Sequence, residues 1–397
     1  MGKKNPGEKK SKAAEDAEFN ALLKQLTTKS ERDSPQEPVV TKAEAKKSRQ
    51  KKALDLKQAK EEEKAEADLT NKLSRQRQQQ HMAEIMRAIQ SGNFGGLGQD
   101  EVPWLDGAPV MTKTPEAQED ADVSVAVCEM QGWRRKMEDA QILNLTMRNN
   151  AKLFAVFDGH VGRQSADRLA STMAERLMSQ PAYTAEDYPL AFTKAYIAAD
   201  EDLRNPEVSQ NSGSTACSVL LTTRQKSLVC ANVGDSRAVL CREGRAIDLS
   251  RDHKPELAEE SARIKAAGGY VEGNRVNGGL AMSRAMGDFS YKQNSALPIE
   301  KQQVICIPEV TETMLQQGDE FFIVGCDGVW DVLSSQEACD VVRRQLADGK
   351  SLLEITANIC DACCCPSDGA GRPSRPLGTD NVTVQVVVFR EAFKAQL

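Results

Sequence analysis

The chain has 397 residues, 40% hydrophobic and 28% charged, enough for one large domain with an extension or for two domains. It has no run of about 18 apolar residues, no apolar segment near Met1, and Pro6 where a myristoylation signal needs Ser or Thr, so neither a membrane span, a secretory leader nor a lipid anchor is expected. The net charge of −6 divides into +6 over residues 1–80 and −12 over the remainder; so acidic a body is not expected to read nucleic acid.

Residues 1–119 differ in kind from the rest of the chain and are taken as a charged N-terminal extension. Positions 42–80 are nearly all Lys, Glu, Ala, Gln and Arg with no sustained apolar stripe, the composition of a partly helical or a disordered arm. Within it Lys46-Lys47-Ser48-Arg49-Gln50-Lys51-Lys52 reads as solvating charge or as a nuclear-import patch. Met82, Ile85, Met86 and Ile89 fall on one face of a short helix, either a docking element for a partner or for the body of the protein, or an isolated amphipathic turn. Residues 92–98 form a glycine-rich connector.

Residues 120–392 are read as the folded domain. Segments 123–128, 153–157, 215–221, 227–233, 238–241, 321–325 and 382–389 are rich in Val, Ile, Phe and Leu and predict strands. Segments 162–178, 187–204, 256–267, 335–347 and 351–364 predict helices, with Pro255 at the first turn of the third and Gly268-Gly269 after its end. Strands grouped in hairpins and helices in pairs predict an α+β fold, a two-sheet sandwich with helices packed outside it. Cys217, Cys230, Cys306 and Cys326 stand singly in apolar runs, as buried free thiols do, which predicts a reducing compartment: cytoplasm, nucleus or both. Only three histidines, His81, His160 and His253, argue against a zinc site built on imidazoles.

Aspartates stand at the ends of four strands. Asp158-Gly159-His160 follows 153–157, Asp327-Gly328 follows 321–326 with Asp331 beyond it, Gly234-Asp235-Ser236-Arg237 follows 229–233, and Asp380-Asn381 precedes 382–388. A carboxylate at the end of a buried strand is costly unless it is paired or holds a metal. Several converging carboxylates repel one another, and a divalent cation turns that repulsion into affinity; oxygen donors select Mg²⁺ or Mn²⁺ over zinc or copper. Asp-Gly is also a favoured hairpin turn, and Asp106-Gly107, Asp348-Gly349 and Asp368-Gly369 read only as turns. Gly132-Trp133-Arg134-Arg135-Lys136-Met137-Glu138-Asp139 sets three cations beside two carboxylates. This is either a surface salt-bridge cluster or a place where an arginine grips phosphoryl oxygens.

In order along the chain these segments resemble the metal-dependent (type 2C) serine/threonine protein phosphatase family over most of the sequence after residue 120. The motifs are Gly132-Trp133-Arg134 with Met137-Glu138-Asp139, Phe157-Asp158-Gly159-His160, Ser212-Gly213-Ser214-Thr215-Ala216, Asn232-Val233-Gly234-Asp235-Ser236-Arg237, Asp252-His253-Lys254-Pro255, Arg275-Val276-Asn277-Gly278 through Ser283-Arg284-Ala285-Met286-Gly287-Asp288, Cys326-Asp327-Gly328-Val329-Trp330-Asp331, and Asp380-Asn381. The resemblance implies a central antiparallel β-sandwich flanked by helix pairs, four layers in the order α-β-β-α, with a binuclear Mg²⁺ or Mn²⁺ centre and a weaker third cation. It implies that Asp158 bridges the two metals with the Gly159 carbonyl as a further ligand. Asp327 and Asp380 bind the second metal, and Glu138 and Asp139 hold metal-bound waters. Asp235, Asp327 and Asp331 form the third position.

The implied reaction is hydrolysis of phosphoserine and phosphothreonine by a water between the two cations, with Arg134 binding the phosphate and His160 protonating the leaving alkoxide. Thr215 and Arg275 are expected to shape the site, and His253 to serve packing. Expected partners are phosphorylated proteins and a docking partner for the arm, with no nucleic acid and no membrane, the chain acting as a monomer. The sequence departs from the family at Gln141, where relatives carry histidine, in the cysteine- and proline-rich stretch from Cys363-Cys364-Cys365 to Gly378, and in the arm. With Cys360, those three cysteines offer a soft-metal site, a lipidation or redox site, or thiols with no function. Two other functions compete: a catalytically inactive relative used as a binding module, and a scaffold acting through the arm.

Overall fold

The computed structural model describes residues 105–368, 371–375 and 377–397; the readings made for segments 42–80, 82–89 and 92–98 of the arm lie outside them. Two antiparallel sheets dominate these residues. The first contains β1 (Leu105–Glu119), β2 (Val123–Arg134), β7 (Arg237–Arg242), β8 (Arg245–Asp248), β10 (Asp319–Gly325) and β11 (Val382–Phe389), in the order β1-β2-β11-β10-β7-β8. The second contains β3 (Ala140–Thr146), β4 (Lys152–Phe157), β5 (Ala216–Thr222), β6 (Ser227–Val233) and β9 (Glu309–Met314), in the order β9-β6-β5-β4-β3. The helices are α1 (Gln164–Met178), α2 (Tyr188–Leu203), α3 (Ala258–Ala266), α4 (Ser335–Ala347) and α5 (Leu352–Cys363), with shorter turns between.

Alternation along the strands produces the layers. In β10, Phe322 and Val324 point between the sheets and join Phe154, Val156 and Val219, whereas Phe321 and Ile323 point outward and pack with Ala338, Val342, Ile355 and Ile359 of α4 and α5. A sheet covered on both faces needs apolar side chains on both, which is why its inner strands read as unbroken hydrophobic runs. Ala166, Leu169, Met173 and Leu177 form one stripe of α1 and, with Phe192 and Tyr196 of α2, cover the outer face of the second sheet. The α-β-β-α sandwich expected from the sequence is thus the observed fold. Capping boxes, Ser334 with Glu337 and Ser351 with Glu354, start α4 and α5 where the sequence placed them.

Polar side chains inside β11 tie the sheets together. Gln385, fully buried, donates from Nε2 to the carbonyls of Ile142 (3.0 Å) and Ala155 (3.1 Å) in the opposite sheet. Beside the sandwich, Ile264 of α3 packs with Val276, Met282, Ala285 and Val304 as a small satellite core.

Two boundaries differ from expectation. The sheet extends to Leu105: β1 pairs with β2 from Glu119↔Ser124 to Leu105↔Arg134, so the compositional break at 119/120 falls between two strands of one sheet. β1 is an edge strand carrying Pro109 and Pro115, residues that edges tolerate and interiors do not, which disguises it as linker. Pro255 precedes α3 rather than entering its first turn. The Leu257 N–H closes a turn on the Lys254 carbonyl (3.2 Å), and the helix starts at Ala258.

Candidate metal centre

Antiparallel registry gathers the strand ends. Phe157 at the end of β4 lies opposite Ala140 at the start of β3, so Asp158 and Asp139 leave neighbouring strands at the same edge. Gly325 at the end of β10 pairs with Val384, two residues into β11, which brings Asp327 beside Asp380. β6 and β7 meet at the same end through the turn bearing Asp235.

Two glycines permit the approach. A Cβ on Gly159 would lie 2.3 Å from the Glu138 carbonyl oxygen, and one on Gly328 would lie 1.9 Å from that of Asn381. Each Asp-Gly pair therefore uses its glycine for close backbone contact, not to make a hairpin turn. Asn381 clamps the other side: its Oδ1 accepts the Glu138 N–H (2.9 Å), and its Nδ2 donates to the carbonyls of Gln131 (2.8 Å) and Lys136 (2.9 Å). Thr215 fixes Asp158 by exchanging two bonds with its backbone, 3.0 Å to Oγ1 and 2.9 Å from its own N–H, while Oγ1 also meets Ser236 Oγ at 2.7 Å.

The resulting cluster is strongly anionic. Asp139 and Asp235 are buried, Asp158, Asp327, Asp380 and Glu138 are partly open, and Asp331 stands at the exposed rim. Burial, followed by repulsion from Asp327, Asp139, Asp380 and Asp235, pushes the Asp158 carboxyl well above the usual range. Asp327 is raised well above it by burial and by Asp380, Asp235 and Asp331. Burial raises Asp380 even against the nearby Arg134 guanidinium, and burial raises Asp331 against Lys254. Asp139 is pushed up to about 7 by burial, opposed by the 2.6 Å hydrogen bond from Thr383 Oγ1. These groups titrate together and favour shared positive charge.

The donor set fits hard divalent cations. Asp139 Oδ1 and Asp235 Oδ1 are buried with no hydrogen-bond partner, a state that costs several kcal/mol unless a cation meets it. Potential ligand atoms of Asp139, Asp158 and Cys326 lie within 4.8 Å of one another. Burial and the carboxylates around Cys326 raise its thiol pKa, and hard cations prefer the oxygen donors beside it to sulfur. The Cys326 sulfur accepts the Thr383 N–H (3.2 Å) and donates to the Asn381 carbonyl (3.5 Å), which packs the floor of the site.

The two remaining side chains of the expected machinery are both paired. Arg134 Nη2 meets Asp380 Oδ2, and its Nε is buried without a partner. His160, in the two-residue strand Gly159–His160, meets Asp288 Oδ2 through Nε2 at 2.7 Å. Burial alone would lower the His160 pKa, but the Asp288 carboxylate more than offsets it and the imidazolium is favoured. Next to it, Val161 is 78% exposed at φ +59°, a strained conformation for a β-branched residue.

Asp288, Asn381, Thr383 and Lys254 have no role assigned by sequence reasoning. Thr383 and Gln385 carry a visible signal, two polar residues inside the apolar run 382–389. Asp288 has none beyond its place in a motif. His253 packs as expected, fully buried with Nδ1 accepting the Gly234 N–H at 3.2 Å. Arg275 is not drawn into the cluster: it is exposed on the hairpin of Val271–Glu272 with Arg275–Val276 and donates to the Gly279 carbonyl (2.7 Å). All eleven cysteines are free and buried; Cys360 and Cys363 lie on the inner face of α5.

Fold and site together define an α-β-β-α sandwich protein with a carboxylate cluster at one end of the sheets. Residues 123–368 match the model of the family described as protein phosphatase 2C. The chain is 41% identical to protein phosphatase 2C homolog 2 of Saccharomyces cerevisiae over 290 residues, which covers 71% of this chain and 61% of that one. It is also 41% identical to the Schizosaccharomyces pombe protein of the same description, covering 71% and 77%. The crystal structure of a phosphatase from a pathogenic strain of Toxoplasma gondii is similar with a TM-score of 0.60 at 26% identity, covering 70% of this chain and 96% of that chain. The chain belongs to the protein phosphatase 2C family.

Proposed function

We propose that this chain hydrolyses phosphoserine and phosphothreonine in proteins at two Mg²⁺ or Mn²⁺ ions held by the carboxylate cluster. The observation that carries this reading is the convergence of Asp139, Asp158, Asp327 and Asp380 from separate strand ends, with a buried carboxylate oxygen left for a cation. Asp158 would serve both ions, the Gly159 carbonyl would add a further ligand, Asp327 and Asp380 would hold one of the ions, and Glu138 and Asp139 would hold coordinated waters. Asp235, Asp327 and Asp331 would form a weaker third position. The chemistry supplied by the bound ions is activation of a water as nucleophile and offset of charge on the phosphoryl oxygens.

The protein's own groups supply the remaining steps. Arg134 is held at the mouth by Asp380 and presents guanidinium N–H groups to phosphoryl oxygens. His160, its pKa raised by Asp288, delivers its proton to the departing serine or threonine oxygen, a poor leaving group unless protonated. No covalent phosphoenzyme is required, in keeping with buried cysteines. Eleven free thiols also support a reducing compartment, cytoplasm or nucleus. The test is phosphate release from a phosphothreonine peptide by the full chain with Mn²⁺. Chelation should abolish it, and Asp158→Asn should lower it by at least about 100-fold. A folded protein inactive with Mn²⁺ in excess, on several such peptides, would remove the reading in favour of an inactive binding module.

A further inference from the structure

Lys254 stands where the proposed function puts a weak third cation. Its Nζ lies 2.6 Å from Asp235 Oδ2, and the two side chains are 31% and 1% exposed. The other oxygen, Asp235 Oδ1, is buried and has no partner, so the carboxylate is only half satisfied. The lysine does not arrive by chance of rotamer. The segment that carries it is fastened to the turn that carries Asp235: the His253 N–H reaches the Gly234 carbonyl (2.9 Å), and the Gly234 N–H reaches His253 Nδ1 (3.2 Å). Arg237, at the start of β7, grips Asp252 through Nε (2.9 Å) and Nη2 (2.8 Å). Asp235 and Lys254 are thus brought together by backbone already ordered for the fold.

We propose that the Lys254 ammonium is a built-in monovalent occupant of the position formed by Asp235, Asp327 and Asp331, and that its displacement is what makes third-cation binding weak. The inference rests on the two-cation reading above. A dication entering this position must evict one positive charge and strip the ammonium of a short, mostly buried ion pair before it gains the carboxylates, so its net gain is small. The lysine stem is partly exposed and can carry its head group outward, which makes eviction possible. The ammonium also keeps the three carboxylates tolerable when only two cations are bound. Lys254 is therefore a positioning residue: it acts on the carboxylates and touches neither phosphate nor leaving oxygen.

The test is Mn²⁺ binding to the full chain, followed by electron paramagnetic resonance of free ion, for the wild type, Lys254→Gln and Lys254→Arg. The wild type should show two tight ions and one weak one. Lys254→Gln should tighten the weak step by at least about tenfold and leave the tight steps in place, because an uncharged amide no longer competes. Lys254→Arg, which keeps the charge, should stay near the wild type. Should Lys254→Gln fail to fold, the wild type still decides: with ¹⁵N-labelled lysines, the protected Lys254 ammonium resonance should vanish or shift only at the Mg²⁺ concentration that fills the third step. A third step unmoved by Lys254→Gln, or an ammonium signal indifferent to that step, overturns the inference alone. Absence of any tight Mn²⁺ in the wild type overturns it together with the two-cation reading.

Discussion

His160 depends on a neighbour that its own motif does not contain. With Asp288 Oδ2 2.7 Å from Nε2, the imidazole is oriented and its pKa is raised by the neighbouring carboxylate. Asp288→Asn should keep a hydrogen bond but lose the charge, so proton delivery to a poor leaving group suffers most. Hydrolysis of a phosphothreonine peptide should fall by about 10–100-fold, whereas an aryl phosphate, whose phenolate leaves without help, should fall by less than about threefold. Equal losses on both substrates would mean that Asp288 only supports the local fold. Arg134 teaches the complementary lesson at this scale. The sequence marks it as a phosphate anchor, and the structure shows it at rest on Asp380, as an unattended guanidinium in a carboxylate cluster must be.

Among the elements, seven strands are legible in the sequence, and all seven are interior to their sheets: β2, β11, β10 and β7 in one, β6, β5 and β4 in the other. Within the two large sheets, the four that escape sequence reading, β1, β8, β9 and β3, are the four edges. An interior strand covered on both faces announces itself as an apolar run, whereas an edge strand is half exposed and carries Pro, Arg and Glu, as in Arg245–Asp248 and Glu309–Met314. The candidate site is legible for a related reason: its aspartates sit at the ends of those apolar runs. Asn381 and Thr383 are not, because what they do depends on contacts with residues more than 240 positions away. Gly328 shows how an element's approach sets the site. Gly328→Ala would put a methyl 1.9 Å from the Asn381 carbonyl and drive the Asp327–Trp330 turn from β11. It should destabilise the fold by about 1–3 kcal/mol and weaken tight Mn²⁺ binding, measured by denaturant titration and calorimetry. A stable variant with unchanged Mn²⁺ affinity would show that this contact does not position Asp327.

For the whole molecule, the cluster couples cation binding to pH and stability. Carboxyls such as Asp139, raised to about 7, bind more protons in the folded state than in the unfolded one. Without cations, stability from this group is full below its unfolded value near 4 and is lost as pH rises through about 7. Cations remove that penalty by replacing the protons. The difference in melting temperature between Mg²⁺-saturated and chelated protein should therefore widen from pH 5 to pH 8; a difference independent of pH would show that the carboxylates are not charged against one another. The claim on which the rest stands is that carboxylates from both sheets close on one pair of ions. Anomalous scattering from crystals grown with Mn²⁺ measures this directly: two strong peaks should lie between Asp158, Asp327 and Asp380, with Asp158 touching both. Mn²⁺ bound at unrelated surface carboxylates, with none at Asp158, would contradict the account.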